Sequence, residues 1–448
     1  MKKRYKISTV RIVSIGFVAI ILLGAALLSM PFSSQNGKYT GFTDALFTST
    51  SAVCVTGLSV VNTEMYWSFA GKVIILILIQ TGGLGFMTIA TLLSFALRRK
   101  ISLKERMLLA ESLNQEELSG VVRLTSNVIK GTFLFEFIGA FILTWRFCAD
   151  YPFDVALWKG IFHSISAFCN AGFDLFGNVA GNNSFALYSG DIIINLTLMF
   201  LIIMGGLGFF VWTDLINVRS LKKMHTHTKI VLLMTVILIF GGAFCIFFFE
   251  LSNPNTSGMS IYERIITALF QSVTCRTAGF ETISQADFGL PARLLSGILM
   301  FIGGSPGSTA GGIKTVTFAV LVMSSVSFIR GRQDTNMFKR RIPPEAIRRA
   351  ISLVMLGVFA VAVATISISL FETTLTLDEI LFEVVSAFAT VGLSCGITAS
   401  LGGASRLILI ILMCFGRIGI LTIGMALAEK HDKGEGLYRY ADAHISVG

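Results

Sequence analysis

One short stretch occurs four times along the chain, and it constrains the fold more than any other feature. Each copy begins with Phe, continues with small and hydroxyl-bearing residues, and reaches a Gly that is followed by Leu or Phe. The four glycines are Gly57, Gly172, Gly279 and Gly392, at intervals of 115, 107 and 113 residues. The Gly follows the Phe by ten residues in three copies and by nine in the third. This recurrence predicts an architecture of four repeated units.

The composition indicates an integral membrane protein. Hydrophobic residues make up 54 % of the 448 residues, charged residues only 14 %, and the mean hydropathy is +0.76. Soluble domains carry about 25 % charged residues. The apolar residues fall into eight predicted spans, each near the ~20 residues that a membrane helix needs. These spans are residues 12–30, 70–97, 128–147, 192–215, 230–251, 294–328, 350–370 and 407–428. The first is too long for a signal peptide and is predicted to be a membrane helix.

The basic residues predict the orientation in the membrane. Four segments hold 21 of the 36 Lys and Arg residues: 1–11, 98–106, 219–229 and 330–349. All four lie on one side if eight helices alternate in direction, and that side is then the cytoplasm. Both termini are therefore expected in the cytoplasm of a bacterium, with the chain in its plasma membrane. The same clustering explains the net charge of +10 without a nucleic-acid partner.

The four repeated stretches fall in the other set of connections. A short apolar run precedes each of them, at residues 43–51, 155–168, 261–274 and 377–389. These runs are too short to span a bilayer and too apolar for an exposed loop, which favours re-entrant helices. The predicted fold is an all-α membrane protein with eight transmembrane helices and four re-entrant pore helices, in four membrane-pore-membrane repeats around a central pore. The predicted repeats are residues 1–110, 111–222, 223–342 and 343–428, followed by a cytoplasmic tail, 429–448.

The repeated turns are predicted to line that pore. Irregular backbone within a membrane is tolerated only where it is buried in protein or lines a water-filled cavity. Four such turns around one axis would present rings of backbone carbonyls to a cation. No carboxylate occurs in the five residues before each Gly, and neutral oxygen ligands favour a monovalent over a divalent cation. The alternative is that each Gly merely allows a tight turn.

The motifs together resemble the Trk/Ktr/HKT superfamily of cation transporters, and specifically the bacterial Ktr membrane subunit. The resemblance rests on the four turns, on the Gly-rich stretch 303–315, and on Phe415-Gly-Arg417-Ile-Gly419. It implies potassium uptake, a homodimer in the lipid membrane, and gating by a cytoplasmic ring of nucleotide-binding subunits that respond to ATP and ADP. It implies no cofactor in this chain, K⁺ as the transported ion and Na⁺ as a possible activator. By family analogy the filter carbonyls belong to Val55, Thr56, Gly57, Asn170, Ala171, Gly172, Thr277, Ala278, Gly279, Thr390, Val391 and Gly392.

The sixth span is predicted to be broken and to form a gate. At ~1.5 Å per residue it is too long for one crossing, and it is rich in Gly with one Pro. The predicted gate comprises Gly303, Gly304, Ser305, Pro306, Gly307, Ser308, Thr309, Ala310, Gly311, Gly312, Ile313 and Lys314, together with Arg417 in the eighth span. The loop resembles a phosphate-binding loop, but Ile313 separates Gly from Lys and no strand precedes it. An intramembrane Arg indicates a functional site, and the alternative for Arg417 is structural pairing with a carboxylate or with helix-end carbonyls.

Other polar residues in the apolar segments have structural alternatives. Lys314 is expected either to act in the gate or to reach the cytoplasmic interface. Glu136 is expected to pair with a basic group at a helix interface, with a direct role in transport as the alternative, and Glu383 is expected to hydrogen-bond backbone N–H groups behind the filter. Arg276 is expected to pair with a carboxylate that braces the third turn. The three cysteines near the filter are expected to pack rather than bind metal: Cys54, Cys169 and Cys275.

A competing function class is a carrier that couples a solute to sodium or protons. Such carriers show paired broken helices and ionisable groups at the midplane. Only the sixth span is predicted to be broken, and the turns hold no carboxylate, so a pore is favoured. The five His residues form no ligand or catalytic pattern, which argues against an enzyme.

Overall fold

Four long apolar helices form the frame of the molecule. The computed structural model describes residues 9–85, 88, 106–107, 120–176, 184–218, 220 and 222–419. The predicted tail 429–448 and most of the basic segment 98–106 lie outside this part. The long helices are Thr9–Ser29, Val121–Phe147, Thr226–Glu250 and Pro344–Phe371. Each is long and apolar enough to cross a membrane, since a core of ~30 Å needs about 20 residues.

A short helix, a turn and a return helix follow each long helix. The short helices are Phe42–Val53, Phe153–Phe168, Ile261–Thr274 and Leu377–Ala389. The return helices are Phe69–Leu84, Ile192–Gly206 continued by Phe209–Asn217, Leu290–Phe301 continued by Thr315–Ile329, and Gly403–Ile418. The smaller elements are a one-turn helix, Thr63–Tyr66, and five 3₁₀ turns, Pro31–Ser33, Ala186–Tyr188, Pro254–Thr256, Gln285–Asp287 and Thr398–Ser400.

The four short apolar runs are helical, as predicted, and two of them coincide with the predicted bounds. Capping explains why the third and fourth short helices begin where they do. Glu263 N donates to Ser260 Oγ at 3.3 Å while Ser260 N donates to Glu263 Oε2 at 2.8 Å. Thr376 and Glu379 repeat this capping box at the fourth short helix. This arrangement satisfies backbone N–H groups that a helix start leaves free.

Two of the return helices are interrupted, the third as predicted and the second contrary to the prediction. The break in the sixth span is present, since its helices end at Phe301 and resume at Thr315. The fourth span was predicted to be continuous, yet its two helices meet at 94°. Gly208 lies at that bend with φ +96°, a conformation that suits Gly and not other residues. Gly85 and Gly419 end the first and last return helices with φ +80° and +94°.

A small antiparallel pair of strands departs from the predicted all-α fold. Asn336–Met337 pairs with Arg340–Arg341 between the third return helix and the fourth long helix. The chain is therefore mostly, not entirely, helical. The pair lies within the basic segment 330–349.

Close packing holds the short helices against the long helices in the first three units. The hydroxyls of Ser49, Ser164 and Ser272 donate to backbone carbonyls of the neighbouring long helix at 2.6–2.8 Å. A Cβ built on Gly24 or Gly139 would lie 2.4 or 2.5 Å from the first or second of these hydroxyls. Glycine therefore permits the helix contact, as is common between membrane helices.

Candidate functional site

The four repeated turns meet in a closed ring. They are named turn 1 (residues 55–57), turn 2 (170–172), turn 3 (277–279) and turn 4 (390–392). A Cβ built on the Gly of each turn would lie against the carbonyl oxygen of the residue before the Gly in the next turn. The pairs are Gly57 with Ala171 at 2.6 Å, Gly172 with Ala278 at 2.8 Å, Gly279 with Val391 at 2.3 Å, and Gly392 with Thr56 at 2.1 Å. The chain thus brings all twelve predicted filter residues together.

A left-handed backbone conformation recurs two residues before each Gly. Val55, Asn170, Thr277 and Thr390 have φ of +58°, +60°, +69° and +53°. Such values are unusual for residues other than Gly, and most of all for β-branched Val and Thr. Strained backbone of this kind clusters at functional sites. The sequence pattern did not reveal it, because only Asn among these residue types suggests a left-handed conformation.

Hydroxyl groups at one equivalent position hold the turns in shape. Ser51 Oγ accepts from Gly57 N at 3.0 Å, and Ser386 Oγ accepts from Gly392 N at 3.1 Å. In the other two units the hydroxyl donates instead, from Ser166 to Phe173 O at 2.7 Å and from Thr274 to Phe280 O at 2.8 Å. The repeated hydroxyl residue of the sequence motif therefore has a structural role beside each turn.

The third copy of the motif is one residue shorter, and a backbone hydrogen bond that spans fewer residues accommodates the difference. In the other three units the residue before the Gly donates to a carbonyl five positions back, at 2.7–2.8 Å. In the third unit Ala278 N donates to Thr274 O, four positions back, at 2.9 Å. Shortening this bonded loop by one residue lets the turn keep its place in the ring.

The ring offers neutral oxygen atoms and a favourable field to a cation. Each turn follows the C-terminus of a short helix, which carries about −0.5 elementary charge. The buried hydroxyls of Thr56, Thr277 and Thr390 have no hydrogen-bond partner within the described part of the chain. Buried polar groups without partners are unusual and call for an explanation. Carbonyl and hydroxyl oxygens in a ring can replace the hydration shell of a monovalent ion.

Two acidic residues that the sequence analysis did not single out lie just beyond the turns in the sequence. Asp174 and Glu281 each occupy the second position after the Gly, and the matching residues of the other units are Ser59 and Ser394. Glu281 Oε1 accepts from Ser394 N at 3.3 Å. Glu281 is only 8 % exposed, so its carboxyl group is largely shielded from solvent.

A loop crosses directly beneath the ring. This central loop, residues 302–314, interrupts the third return helix and contains the whole predicted gate loop. Thr309 Oγ1 donates to Phe168 O at 3.2 Å, at the base of turn 2. A Cβ built on Gly311 would lie 2.0 Å from Thr390 Oγ1 in turn 4. Turns 2 and 4 are opposite one another in the ring, so the loop passes across its axis.

The central loop is braced internally and against the second return helix. Ile313 N donates to Phe301 O at 3.2 Å and Thr315 N donates to Gly304 O at 3.0 Å. Two loop N–H groups donate to carbonyls of the second return helix at 3.1 and 3.2 Å, and Phe209 N donates back to Gly307 O at 2.8 Å. Lys314 Nζ bonds the loop carbonyl of Ala310 at 2.7 Å, so its expected role at the cytoplasmic interface gains no support.

Arg417 ties the central loop to the first return helix. Its guanidinium donates to Thr309 O, to Gly82 O, and to Gly83 O at 3.0 Å. Gly82 and Gly83 lie in the last turn of their helix, whose carbonyls have no partners within the helix. Arg417 therefore contacts both the predicted gate loop and a helix end, so the pairing with helix-end carbonyls is present, while its role in gating stays a prediction.

Small residues in the return helices serve close packing. A Cβ on Gly82, Gly205 or Gly416 would lie 1.9 Å from the carbonyl oxygen of Val53, Phe168 or Phe388, respectively. These glycines let each return helix approach the end of its short helix.

The polar residues behind the ring do not have the partners that were predicted for them. Glu383 accepts from the hydroxyls of Thr398 and of Ser394, the latter at 2.7 Å, and not from backbone N–H groups. Arg276 is only 3 % exposed, and its Nε and Nη2 have no hydrogen-bond partner. The expected ion pair of Arg276 with a carboxylate is thus absent from the described part of the chain, because no acidic side chain reaches it.

Glu136 and the cysteines have structural partners. Glu136 Oε2 accepts from Gln80 Nε2 at 3.2 Å, so its partner is a neutral amide and not the basic group that was predicted; Glu136 Oε1 has no partner in the described residues. Cys169 Sγ donates to Gln80 Oε1 at 3.4 Å. Among the described residues, no group of three or more His, Cys, Asp or Glu is placed to hold a metal ion. The packing role expected for Cys54, Cys169 and Cys275 agrees with their burial.

These features define a class: a multi-pass membrane transporter with a ring of irregular backbone closed on one side by a loop. The chain matches, over residues 7–436, the family model described as the TrkH cation transport protein. The chain therefore belongs to the TrkH family of cation transport proteins, which confirms the resemblance seen in the motifs. It also confirms a transporter and not an enzyme.

Individual relatives cover nearly the whole chain. The potassium/sodium uptake protein NtpJ of Enterococcus hirae is 39 % identical, with 100 % of this chain and 99 % of the relative aligned. The Ktr system potassium uptake protein B of Bacillus subtilis is 38 % identical, with 98 % and 96 % aligned. The crystal structure of the potassium transporter TrkH from Vibrio parahaemolyticus superposes with a TM-score of 0.74, covering 97 % of this chain and 88 % of that one. At 19 % identity this last likeness concerns the fold alone.

Proposed function

We propose that the chain is the ion-translocating subunit of a potassium-uptake system. K⁺ passes through the ring of turns 1–4, which acts as the selectivity filter, and the membrane potential drives it inward. The central loop and Arg417 close the path on the cytoplasmic side. The observation that carries this proposal is the position of the central loop, which crosses beneath a closed ring of carbonyl-bearing turns.

The chemistry of the ring favours a monovalent cation. Its predicted ligands are neutral oxygens, whereas divalent cations usually require carboxylates. Asp174 and Glu281 lie two residues beyond the Gly and therefore outside the turns themselves. Potassium is proposed over other monovalent ions because the names of the relatives from Enterococcus and Bacillus both specify potassium uptake. The first of these names also includes sodium, so Na⁺ is proposed as a possible activator.

The gate blocks the ion path in two ways: the central loop occupies the path, and Arg417 places a positive charge beside it. The central loop fills the space below turns 2 and 4, and Arg417 holds it from the opposite side by bonds to Thr309 and the first return helix. A fixed positive charge in a narrow, poorly hydrated path repels cations strongly. Opening therefore requires that the loop leave its seat and that Arg417 exchange its partners.

The finer architecture and the assembly belong to the same proposal. Eight transmembrane segments and four re-entrant helices form four repeats, 1–110, 111–222, 223–342 and 343–428, with a cytoplasmic tail, 429–448. Two copies of the chain assemble as a homodimer in a bacterial plasma membrane, with both termini in the cytoplasm. A ring of nucleotide-binding subunits controls the gate, since one relative is named as a component of a Ktr system.

A coupled carrier remains the competing candidate, and the bent fourth span favours it more than the sequence did. Two interrupted spans now occur in the described residues, in the second and third units. A pore and a coupled carrier are distinguished by the driving force that ion flux requires in lipid vesicles. A pore carries K⁺ without a sodium or proton gradient, and its flux reverses at the potassium equilibrium potential. Flux that stops when the coupling gradient is removed would establish the carrier.

The proposed function is tested by growth at low potassium. A bacterium lacking its own potassium-uptake systems receives the chain with a cytoplasmic nucleotide-binding partner. Rescue by the unmodified chain, together with loss of rescue or admission of sodium by Gly57→Ser, is the expected result. Absence of rescue with the partner present, despite normal amounts of protein in the membrane, would contradict potassium uptake.

A further inference from the structure

Asn170 breaks the fourfold symmetry of the ring. The equivalent residues of the other turns are Val55, Thr277 and Thr390, which lack an amide. Asn170 Nδ2 donates to Arg276 O, next to turn 3, at 3.2 Å. Asn170 Oδ1 accepts from Thr309 Oγ1 at 3.3 Å. One side chain thus connects two adjacent turns to the central loop.

Thr309 is the counterpart of Asn170 in the central loop. Its N–H donates to Gly205 O at 3.2 Å, and its carbonyl accepts from Arg417. Its hydroxyl proton lies between Asn170 Oδ1 and Phe168 O, the latter at 3.2 Å. Thr309 is fully buried. Every polar group of this residue is therefore used in holding the loop to its surroundings.

The contact leaves no room for a solvent substitute. A Cβ built on Gly205 would lie 2.9 Å from both Asn170 Oδ1 and Thr309 Oγ1. Asn170 is fully buried as well. If the loop withdraws, Asn170 Oδ1 exchanges the fixed hydroxyl of Thr309 for mobile water from the opened path, so turn 2 loses a rigid contact. Because Asn170 is in a strained left-handed conformation, loss of this contact allows its backbone to relax.

From these contacts we propose that Thr309 and Asn170 couple the gate to the filter. With the central loop seated, the hydroxyl of Thr309 braces turn 2, and through Arg276 O the brace extends to turn 3. When the loop leaves, the turns relax and discriminate less well between K⁺ and Na⁺. Both are positioning residues, and the inference rests on the proposed function of ring and loop.

The test compares ion selectivity in variants of the loop. The full chain is purified in detergent without its cytoplasmic partner, the state in which the loop is expected to be seated, and the K⁺ and Na⁺ concentrations that half-maximally raise its melting temperature are measured. Thr309→Val removes the hydroxyl at nearly constant volume, and Thr309→Ser retains it. Thr315→Val is the matched control, since Thr315 is also fully buried but its hydroxyl contacts only Ser305 Oγ at 3.1 Å.

Thr309→Val is expected to lower the preference for K⁺ over Na⁺, measured as the ratio of these half-maximal concentrations, by about fivefold, the effect of one buried hydrogen bond. Thr309→Ser and Thr315→Val are expected to keep the ratio of the unmodified chain. An unchanged preference in Thr309→Val would mean that Thr309 only holds the gate shut, and would overturn the coupling. An equal loss of selectivity in Thr315→Val would overturn it too, as general loosening.

A second variant guards against misfolding and isolates the pair. Asn170→Gly removes the amide and tolerates the left-handed conformation. The double variant with Thr309→Val is expected to be no less selective than Asn170→Gly alone, because the two residues share one interaction. Additive losses would refute the pairing. If the unmodified chain conducts no K⁺ at all, the proposed function itself fails, which is a different outcome from altered selectivity.

Discussion

Gly392 is the position where the ring geometry makes its strongest demand. A Cβ there would lie 2.1 Å from Thr56 O, the shortest of the four contacts between turns. A carbon and a carbonyl oxygen normally approach to about 3.3 Å, so the Thr56 carbonyl would have to move by roughly 1 Å. That carbonyl is a proposed potassium ligand. Gly392→Ala is therefore expected to damage selectivity directly.

A matched control separates this contact from backbone strain. Gly396 has φ +88°, close to the +95° of Gly392, but a Cβ there meets no atom within 4 Å. Gly396→Ala is expected to cost only the strain of a left-handed alanine, about 1–2 kcal/mol. Gly392→Ala suffers the same strain and displaces Thr56 O as well. Any difference between the two variants thus reports the contact between turns 4 and 1.

The assay is the ratio of K⁺ to Na⁺ flux in vesicles, together with growth at low potassium. Gly392→Ala is expected to fail in growth and to lose most K⁺ selectivity, whereas Gly396→Ala keeps both. Protein content and melting temperature show that each variant folds. Substitutions at the other ring glycines should follow the contact distances, with Gly279→Ala more severe than Gly172→Ala, at 2.3 and 2.8 Å. Equal selectivity of the Gly392 and Gly396 variants would refute the ring as the filter.

Three further predictions concern the gate, the packing and the intramembrane acid. Arg417→Ala should raise K⁺ flux in vesicles, because the central loop loses a tether. The control is Arg406→Ala in the same helix, which breaks a partly exposed ion pair that is typically worth under ~1 kcal/mol and should leave flux unchanged. Unchanged flux in Arg417→Ala would count against the gate. Gly205→Ala should lower the melting temperature in detergent, since its Cβ would lie 1.9 Å from a carbonyl oxygen, whereas Gly241→Ala meets no atom within 4 Å and should gain up to about 1 kcal/mol of helix propensity; the reverse order would contradict the packing. Glu136→Gln should transport K⁺ within about twofold of the unmodified chain, since an amide can keep one polar contact, and a complete loss of transport would instead indicate a direct role.

The central loop illustrates both the reach and the limit of sequence reasoning. The density of Gly and Pro in an overlong apolar span predicted the break, and the structure contains it at 302–314. The bend at Gly208 escaped because the fourth span has a normal length and contains no Pro. Its glycines read equally well as helix-packing residues, so only the backbone angles distinguish a bend from a contact.

The polar partners were predicted less well than the helices. Arg276 and Glu383 were each recognised as costly within apolar segments, but neither has the expected partner in the described part of the chain. A side chain in a buried segment chooses among all neighbours within reach, and those neighbours come from distant parts of the chain. The partner of Glu383, for example, lies beyond the turn, and that of Arg417 lies in another unit.

Local patterns in the sequence decide the number and type of elements in this protein, since hydropathy, helix breakers and a recurring motif act over a few residues to a few tens. They identify the long helices, the short helices, the glycine turns and the family. The tertiary structure alone decides which turns are neighbours, where Thr309 is seated and what Arg417 binds. Those contacts join residues that are more than a hundred positions apart. Their energies depend on distances of a few ångströms, and only the folded chain sets those distances.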